Sequence, residues 1–405
     1  MAHADATYRD AIESLRRCCC PWGLKASGRA VGHHQVWARD SMIASLGARF
    51  VQDNQIRDAL HASLFLLKDR RGPGGAIPNN VDCATLHPNF RAYADGGLWW
   101  IVARTLLARD LSPDLTPGVF PDLEVVREVL RWYEYQDVDQ SGLLSMQEGS
   151  DWQDLFCTRG KGLYLNCLYV LALRRAAELF KDDEGDRLRR RAELVAEQIN
   201  SYFWYRGDND LRRHLSHTFS TEGSPLRDSM GRSREIPAKR YLGDERYYLP
   251  YLGFRSVGEW FDSLGNILAI LAGVADAQQS DIILDFIARY SLDIWPLRSL
   301  TPVVRPGDPD WRDYYGSLNA PHHYHNGGVW PFLGGFYVAA LVKTGRGEAA
   351  TAALRSLAHL NQCGQFNEWH HGETGAPMGA RDQAWSAGMY LFAWECVRRG
   401  QVALP

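Results

Sequence analysis

Several signals that would direct a protein to nucleic acid, membrane or export are missing from this 405-residue chain. No apolar run approaches the ~20 residues that a membrane-spanning helix needs. The N-terminus, MAHADATYRDAIESL, lacks the apolar segment of a secretory signal. The formal net charge is -3, so no overall positive field attracts nucleic acid or acidic lipid. We therefore expect a cytoplasmic protein that binds neither nucleic acid nor a membrane.

The eight cysteines do not have the spacing of a disulfide framework or a zinc finger, since three of them are consecutive, Cys18 to Cys20, and none forms a CxxC pair. The GxSxG elbow, the HExxH helix, the P-loop and the dinucleotide fingerprint are also missing. The histidines form adjacent clusters instead of an i, i+4 pair, which disfavours a metal site. We therefore predict reduced thiols, no cofactor and no metal.

Helical periodicity is what the sequence has in abundance. Apolar spacing predicts about twelve helices, and strand-like alternation is confined to the connections. Short connections alternate with long, aromatic ones, and the longest span about 206–257 and 295–326. Twelve helices in consecutive antiparallel pairs predict an all-α (α/α)6 barrel that occupies residues 1–405 as one catalytic domain, with the long loops forming a cleft on one face. The predicted helices are roughly 6–18, 39–51, 55–69, 95–109, 122–136, 162–180, 185–203, 257–272, 278–289, 328–344, 347–361 and 381–398.

Two carboxylates stand in segments that suit acid and base catalysis. The chain has 14 Trp and 18 Tyr, which is typical of sites that bind the apolar faces of sugars as well as of large cores. Glu368 lies beside a Trp in FNEWHHGETG, where partial desolvation would make it a general base; the alternative is an ordinary surface acid. Asp95 opens a helix in ADGGLWW, either as a general acid with Gly96 and Gly97 leaving room for a substrate, or simply as an N-cap.

Other segments combine carboxylates, amides and aromatic rings in ways that suit sugar binding. VWARDSM could grip vicinal hydroxyls or form a structural ion pair, and HHYHNGGVWPF has a Gly pair that permits close backbone approach. QEGSDWQDLF offers carboxylates around a Trp and, in Glu148, Asp151 and Asp154, rival catalytic acids. The candidate substrate-binding residues are Trp37, Arg39, Asp40, Asp151, Trp152, His325, Asn326, Trp330, Gln383 and Trp385.

The segment Asp137 to Glu148, DVDQSGLLSMQE, matches the spacing of a calcium-binding loop, with Gly142 at the sixth position. A helix is predicted before this segment, but no convincing helix follows it directly. Acidic Gly turns also connect helices without any metal, so the sequence leaves both interpretations open.

Five motifs in a consistent order resemble those of a clan of (α/α)6-barrel glycosidases, and the resemblance runs from about residue 32 to 398. The clan includes the neutral/alkaline invertases of glycoside hydrolase family 100 and the glucosidase domain of glycogen debranching enzymes. ADGGLWWI resembles the invertase motif D-S-G-L-W-W-I, and FDSLGN resembles F-D-T-L-G-N. YHNGGVWP resembles H-N-G-G-x-W-P, QAWSAG after Glu368 resembles Q-x-W-x-A-G, and WARDSMI resembles W-x-R-D-x-x-I.

The resemblance implies an inverting glycoside hydrolase with Asp95 as general acid, Glu368 as general base and a small carbohydrate as partner. Sucrose is the first expectation. The segment SMQEGSDWQDLF departs from the invertase pattern and is closer to the W-M-D element of debranching enzymes, so another small α-glucoside or an oligosaccharide is the alternative. A sugar epimerase related to N-acylglucosamine epimerases, a non-catalytic carbohydrate-binding barrel and assembly into a homo-oligomer are also compatible with the sequence.

Overall fold

The computed structural model describes residues 2–29, 34–110, 123–180, 183–205, 245–253, 256–402 and 404. Within these residues, twelve helices of nine or more residues and one single-turn helix account for most of the chain. The helices are α1 Ala2–Cys18, α2 Ala38–Ala48, α3 Asn54–Asp69, α4 Gly96–Asp110, α5 Leu123–Glu134, α6 Leu163–Ala177, α7 Asp183–Tyr202, α8 Ser263–Leu271, α9 Ala277–Arg289, α10 Tyr315–Leu318, α11 Pro331–Lys343, α12 Gly347–Gly364 and α13 Ala384–Arg399.

Six of the helices form a closed inner ring. Helices α2, α4, α6, α8, α11 and α13 each pack against the next in this order, and α13 packs against α2 to close the circle. The other six long helices alternate with them along the chain, and this is the (α/α)6 barrel that the helix pattern predicts. None of the described helices combines the length and the apolar composition that a membrane span requires.

The composition of the helices explains which ones lie inside. Every residue of α2 and of α8 is buried, because both are flanked by neighbours on all sides. The outer helices bury one stripe only, as α5 does with Val125, Val126, Val129, Leu130 and Tyr133. Their polar faces then remain in water, so an amphipathic pattern predicts the outer positions and a continuously apolar pattern predicts the inner ones.

The barrel places the N-termini of all six inner helices at the same end, because an antiparallel outer helix separates each from the next. Short strands at this end hold the loops. They are β1 Cys19–Cys20, β2 Gly23–Leu24, β3 Gln35–Trp37, β4 Asn80–Asp82, β5 Pro88–Asn89, β6 Lys161–Gly162, β7 Trp204–Tyr205, β8 Tyr247–Tyr248, β9 Tyr251–Gly253, β10 Ser256–Val257, β11 Phe261–Asp262, β12 Leu300–Thr301, β13 Trp369–His370 and β14 Pro377–Met378.

The short strands pair in antiparallel fashion. The sheets have the orders β1-β2, β3-β4-β5, β10-β9-β6, β7-β8, β11-β12 and β13-β14. Strands β3, β6 and β11 end directly before the inner helices α2, α6 and α8. The pairing therefore fixes the point at which these chain segments enter the barrel.

Several predicted boundaries are wrong by a few residues at the N-termini of inner helices. The helix predicted from 257 begins at Ser263, because Phe261 and Asp262 pair with Thr301 and Leu300 in a short sheet. The helix predicted from 381 begins at Ala384, because Asp382 has a left-handed backbone with φ 51. Of the predicted loop 206–257, residues 206–244 and 254–255 lie outside the described residues, and the remainder contains β8, β9 and β10.

Candidate active site

Asp95 lies directly before the first residue of α4, and its side chain is completely buried. Arg39 Nη1 donates to both carboxyl oxygens at 3.1 Å, and Tyr164 Oη donates to Oδ2 at 2.8 Å. The amide of Leu98, which a capping aspartate would satisfy, donates instead to the hydroxyl of Tyr133 at 3.1 Å. The carboxyl is therefore engaged by side chains of neighbouring inner helices and does not act as a simple N-cap.

Burial raises the pKa of Asp95 above its ordinary value, although the charge of Arg39 and the hydrogen bond from Tyr164 lower it in part. Removing a carboxylate from water disfavours its charged form, and here this effect exceeds the attraction of one guanidinium. A carboxyl with a raised pKa can keep a proton near neutral pH and donate it during a reaction.

Gly96 and Gly97 provide space for packing and not for a substrate, contrary to the expectation from the sequence. A Cβ atom on Gly96 would lie 3.0 Å from the Cβ of Ala38 in α2. A Cβ atom on Gly97 would lie 2.9 Å from the hydroxyl of Tyr133. The two glycines therefore allow α2 and α5 to approach the start of α4.

Two further aspartates surround Arg39. The backbone oxygen of Asp151 accepts from Arg39 Nη1 at 3.2 Å, and Arg39 Nη2 lies 3.6 Å from Asp154 Oδ2. Burial, followed by the charge of Asp95, raises the pKa of Asp151 well above its ordinary value. Burial also acts to raise the pKa of Asp154, but the hydrogen bond with His325 and the charge of Arg39 outweigh it, and the pKa is lowered. Neighbouring aspartates thus favour opposite protonation states.

Glu368 is half-buried on the segment that leads into β13. Its Oε2 accepts from the amide of Ala380 at 3.3 Å, and the hydroxyl of Tyr324 lies 3.5 Å from Oε1. Gly379 has φ +68, and a Cβ atom there would lie 2.5 Å from Oε2, so this turn needs a glycine. Glu368 therefore combines partial solvent access with a fixed position, as a base that activates water requires.

Tyr324 connects the surroundings of the two catalytic candidates. Burial raises its pKa well above the ordinary value, and the charges of Glu368 and Asp154 add to this, while Arg39 opposes it. The tyrosine is therefore within electrostatic reach of Glu368 on one side and of the residues around Asp95 on the other.

Aromatic rings pack tightly beside these polar groups. Trp152 contacts His325 and Trp330 edge to face, with ring centroids 5.1 and 5.6 Å apart. His325 stacks on Trp330 at 5.2 Å, and Trp385 meets Trp330 edge to face at 5.7 Å. The indole nitrogens of Trp152 and Trp385 are buried and have no hydrogen-bond partner within the described residues. A sugar hydroxyl could accept a hydrogen bond from either of these nitrogens.

The structure brings most of the predicted binding residues to the same end of the barrel but gives Asn326 a different role. Its amide donates to the backbone oxygens of Val304 and Asn319 and accepts from the amide of Val304. These hydrogen bonds engage both ends of the amide of this completely buried side chain. Gln383 and Trp37 occupy the N-cap positions of α13 and α2 without a side-chain capping hydrogen bond. The buried Oε1 of Gln383 has no partner among the described residues, and Asp40 is buried in the first turn of α2.

The proposed calcium loop uses its carboxylates in another way. Asp137 accepts from Arg191 at 2.9 Å, Asp139 pairs with Lys161 at 2.5 Å, and Glu148 pairs with Arg312 at 2.6 Å. Within the part of the chain that the structure describes, no three acidic, histidine or cysteine side chains are grouped as a metal site needs. Three separate cations thus neutralise the charges that would attract calcium, and Glu148 is an ion-pair partner at the surface.

The clustered histidines are placed as structural or surface groups. His370 Nδ1 lies 3.0 Å from the backbone oxygen of Gly375, and burial lowers the pKa of His370 to about 4. Burial also lowers the pKa of His325, despite its contact with Asp154. His322 pairs with the exposed Glu373 at 3.2 Å. His322, His323 and His371 lie together, with the ring centroid of His371 4.6 Å from that of His323 and 6.3 Å from that of His322, whereas His325 and His370 are buried.

Sequence reasoning missed Tyr164, Tyr324 and the site role of the residue before α8, Asp262. Asp262 is buried, and burial raises its pKa to about 7. Its charge also acts on Asp151. Signals were available for Asp262, which lies in the FDSLGN motif at a helix start, and for Tyr324, which opens the YHNGGVWP motif. Tyr164 looks like an ordinary core aromatic in the sequence.

Comparison with known proteins places this chain in a family. The model of the family described as alkaline and neutral invertase matches residues 91–399. Cytosolic invertase 1 of Oryza sativa subsp. japonica is 28% identical over 95% of this chain and 77% of its own length. Alkaline/neutral invertase CINV2 of Arabidopsis thaliana is 28% identical over 75% of this chain, which spans 57% of that relative.

Solved structures show the same fold at lower sequence identity. The GH63 mannosylglycerate hydrolase of Thermus thermophilus, in complex with glucose, has a TM-score of 0.67 at 14% identity, over 96% of this chain and 99% of that chain. A bacterial glucoamylase complexed with acarbose has a TM-score of 0.62 at 15% identity, over 98% and 56% of the two chains. These similarities confirm the (α/α)6 barrel. The chain is a glycoside hydrolase that belongs to family 100, the alkaline and neutral invertases.

Proposed function

We propose that this enzyme hydrolyses an α-glucosidic bond with inversion of the anomeric centre, and that sucrose is its substrate. The supporting observation is the contrast between a fully buried Asp95 with a raised pKa and a half-buried Glu368. One carboxyl is suited to hold a proton and the other to accept one.

In this mechanism Asp95 protonates the glycosidic oxygen as the leaving sugar departs. Glu368 removes a proton from a water molecule that attacks the opposite face of the glucosyl ring. Arg39, which contacts both oxygens of Asp95, stabilises the carboxylate left after proton transfer. Room for that water requires the two carboxyl groups to stand about 6.5–9.5 Å apart in the substrate complex.

The choice of sucrose follows the names of the relatives, which are invertases. A panel of sucrose, maltose, isomaltose and small α-glucosides of glycerol and glycerate would test this choice by the glucose released from each. We expect sucrose to have the highest kcat/KM. A tenfold preference for another glucoside would refute sucrose but keep the reaction type, and a folded enzyme that cleaves none of them would contradict the proposal as a whole.

The residue assignment has a separate test. Glu368→Gln and Asp95→Asn should each lower kcat on sucrose by at least about 10²-fold, because each removes a proton-transfer group. Glu373→Gln is the matched control, because this exposed residue lies five positions after Glu368 and pairs with His322. Wild-type rates in either catalytic variant, with an unchanged melting temperature, would refute the assignment.

A further inference from the structure

Tyr164, in the first turn of α6, joins the carboxyl of Asp95 to the indole of Trp99. Trp99 Nε1 donates to Tyr164 Oη at 2.7 Å, and Tyr164 Oη donates to Asp95 Oδ2 at 2.8 Å. All three side chains are buried. The distances are those of well-formed hydrogen bonds, and no solvent competes for them.

The direction of these hydrogen bonds is determined by their chemistry. An indole nitrogen can only donate, so the phenol oxygen of Tyr164 accepts from Trp99 and directs its single hydrogen to Asp95 Oδ2. Burial raises the pKa of Tyr164 well above its ordinary value, and the charge of Asp95 adds to this, so the phenol keeps its hydrogen. Oδ2 is therefore held as an acceptor.

A neutral carboxyl carries one hydrogen, and only Oδ1 remains to hold it. Arg39 Nη1 is 3.1 Å from both oxygens and does not distinguish between them. We propose that Tyr164, oriented by Trp99, is a positioning residue that confines the transferable proton of Asp95 to Oδ1. This inference rests on the proposed role of Asp95 as general acid.

The test compares Tyr164→Phe with Tyr169→Phe, which removes another buried phenol from the same helix, one that is hydrogen-bonded to Arg191. Two substrates are used: sucrose, or the α-glucoside that the wild type hydrolyses fastest, and α-glucosyl fluoride, whose leaving group departs without protonation. We expect Tyr164→Phe to lower kcat on the glucoside about 10–10²-fold with little change in KM, and to lower kcat on the fluoride less than about threefold.

The pH profile is the second measurement. Tyr164→Phe should move the basic limb of kcat/KM for the glucoside to higher pH, because a hydrogen bond to the charged form of Asp95 has been removed. Trp99→Phe, which leaves the phenol in place, should move it in the same direction by less and serves if Tyr164→Phe does not fold. Equal losses on both substrates, or a basic limb identical to that of Tyr169→Phe, would overturn the inference.

Asp95→Asn separates failure of this inference from failure of the proposed function. If Asp95→Asn hydrolyses the glucoside at the wild-type rate, the general acid is wrong. If Asp95→Asn loses that activity but retains the fluoride reaction, while Tyr164→Phe behaves like Tyr169→Phe, only the role of Tyr164 is wrong.

A second, independent observation concerns two thiols. The sulfur atoms of Cys20, at the end of β1, and Cys83, directly after β4, lie 3.9 Å apart, and both side chains are partly exposed. The contact with the Cys83 sulfur and the backbone amides of Trp22 and Gly23 lower the pKa of Cys20, with burial opposing. The thiolate is the reactive form of cysteine, so Cys20 is the sulfur that reacts first with an oxidant.

We infer that Cys20 and Cys83 form a reversible disulfide when the oxidant is a peroxide. The sulfur of Cys20 attacks one peroxide oxygen, which gives a sulfenic acid and one water molecule. The sulfur of Cys83 then attacks the sulfur of Cys20, the sulfenic oxygen leaves as a second water molecule, and the two thiols have been oxidised by two electrons. The bond would tie β1 to the segment after β4, whose partner strand β3 ends at Trp37.

Intact mass spectrometry after hydrogen peroxide treatment tests this inference. We expect a loss of two hydrogens, a linked peptide pair containing Cys20 and Cys83, and full reversal by a dithiol reductant. Cys20→Ser and Cys83→Ser should abolish the link, whereas the control Cys363→Ser, which removes an exposed thiol, should leave it intact. Oxygen addition without hydrogen loss, or a link that survives in Cys83→Ser, would overturn the inference.

Discussion

Asp95, the proposed general acid, shows how opposing effects set the pKa of a single carboxyl. Burial favours its neutral form, while Arg39 and Tyr164 favour its charged form. If burial acted alone, the proton would be held too tightly to be transferred, and if the guanidinium dominated, the proton would be absent at neutral pH. Arg39 and Tyr164 therefore help to set the pKa of Asp95.

Arg39→Lys tests this balance. A lysine has one nitrogen and cannot reach Asp95, the backbone oxygen of Asp151 and Asp154 together, as the planar guanidinium does. We expect kcat to fall about 10–10²-fold and the basic limb of the pH profile to move upward, because the charged form of Asp95 is less stabilised. Arg346→Lys, which changes an arginine that bridges Asp281 and Asp285 at the surface, is the control and should retain wild-type kinetics.

Asp262 predicts a dependence of stability on pH. Its pKa is about 7 in the folded protein, against an ordinary value of 3.8, so the folded state binds the proton more tightly than the unfolded state. The contribution of protonated Asp262 to the free energy of unfolding is therefore complete below about pH 4 and is lost as the pH rises through 7. Asp262→Asn should raise the free energy of unfolding at pH 8, by up to about 4 kcal/mol, and much less at pH 5. Urea unfolding at the two pH values measures this, and an equal effect at both would contradict it.

At the scale of single residues, the sequence indicates candidate catalytic groups better than it indicates the side chains that surround them. Asp95 and Glu368 stand in recognisable motifs, so the sequence singles them out as the proposed acid and base. Tyr164 could not, because a tyrosine in a buried apolar helix has the same sequence appearance whether its hydroxyl meets a carboxyl or a backbone oxygen. The polar motif around Asn326 predicts a substrate contact, yet the hydrogen bonds of this side chain hold two loops together.

At the scale of elements, two glycines allow the backbones of α2 and α13 to come into very close contact where these helices cross. A Cβ atom on Gly47 would lie 1.9 Å from the backbone oxygen of Gly388, and one on Gly388 would lie 2.5 Å from that of Ala44. Backbone atoms cannot move aside as flexible side chains do. The two helices are therefore in direct backbone contact at this point.

Gly47→Ala should destabilise the protein by about 3 kcal/mol or more, because α2 and α13 must separate to admit the methyl group. Gly347→Ala, at the exposed start of α12 with no atom within 4 Å of the added Cβ, should be neutral or stabilising by about 0.5–1 kcal/mol. Denaturant unfolding of the two variants gives the comparison. Equal stabilities would show that α2 and α13 do not pack in this way.

The helices themselves could be predicted from periodicity, and so could their alternation between inner and outer positions. Their exact starts could not, because α8 is preceded by a strand that pairs with a distant segment and α13 by a residue, Asp382, with a left-handed backbone. The sequence around residue 257 and around residue 263 has a similar helical pattern. Only residue 263 follows β11, the strand that pairs with β12. Long-range pairing therefore decides what local pattern cannot.

At the scale of the whole molecule, ion pairs and short sheets hold the loops at the end of the barrel where the inner helices begin. The acidic segment 137–148 is one of these loops. Its carboxylates are paired with Arg191, Lys161 and Arg312. We therefore expect a calcium chelator to leave both the melting temperature and the hydrolysis rate unchanged. Added calcium should raise neither, and a calcium-dependent rise in melting temperature that Asp137→Asn removes would contradict this account.

The closed ring also explains why residues far apart in the sequence meet at one site. Arg39, Asp95 and Tyr164 lie at the starts of three different inner helices, α2, α4 and α6. An antiparallel outer helix follows each inner helix, so the next inner helix starts at the same end of the barrel. The barrel thus supplies a rigid frame for carboxyls that come from widely separated segments. The sequence could predict this convergence only after the pairing of helices was recognised.

The stereochemistry of the first product tests the central claim most directly. Proton NMR of a sucrose digest, recorded before mutarotation, distinguishes α-glucose from β-glucose as each is released. If Asp95 donates its proton while Glu368 activates a water on the opposite face, β-glucose must appear first and the α anomer must follow only by mutarotation. Initial release of α-glucose would contradict the proposed roles of both carboxyls.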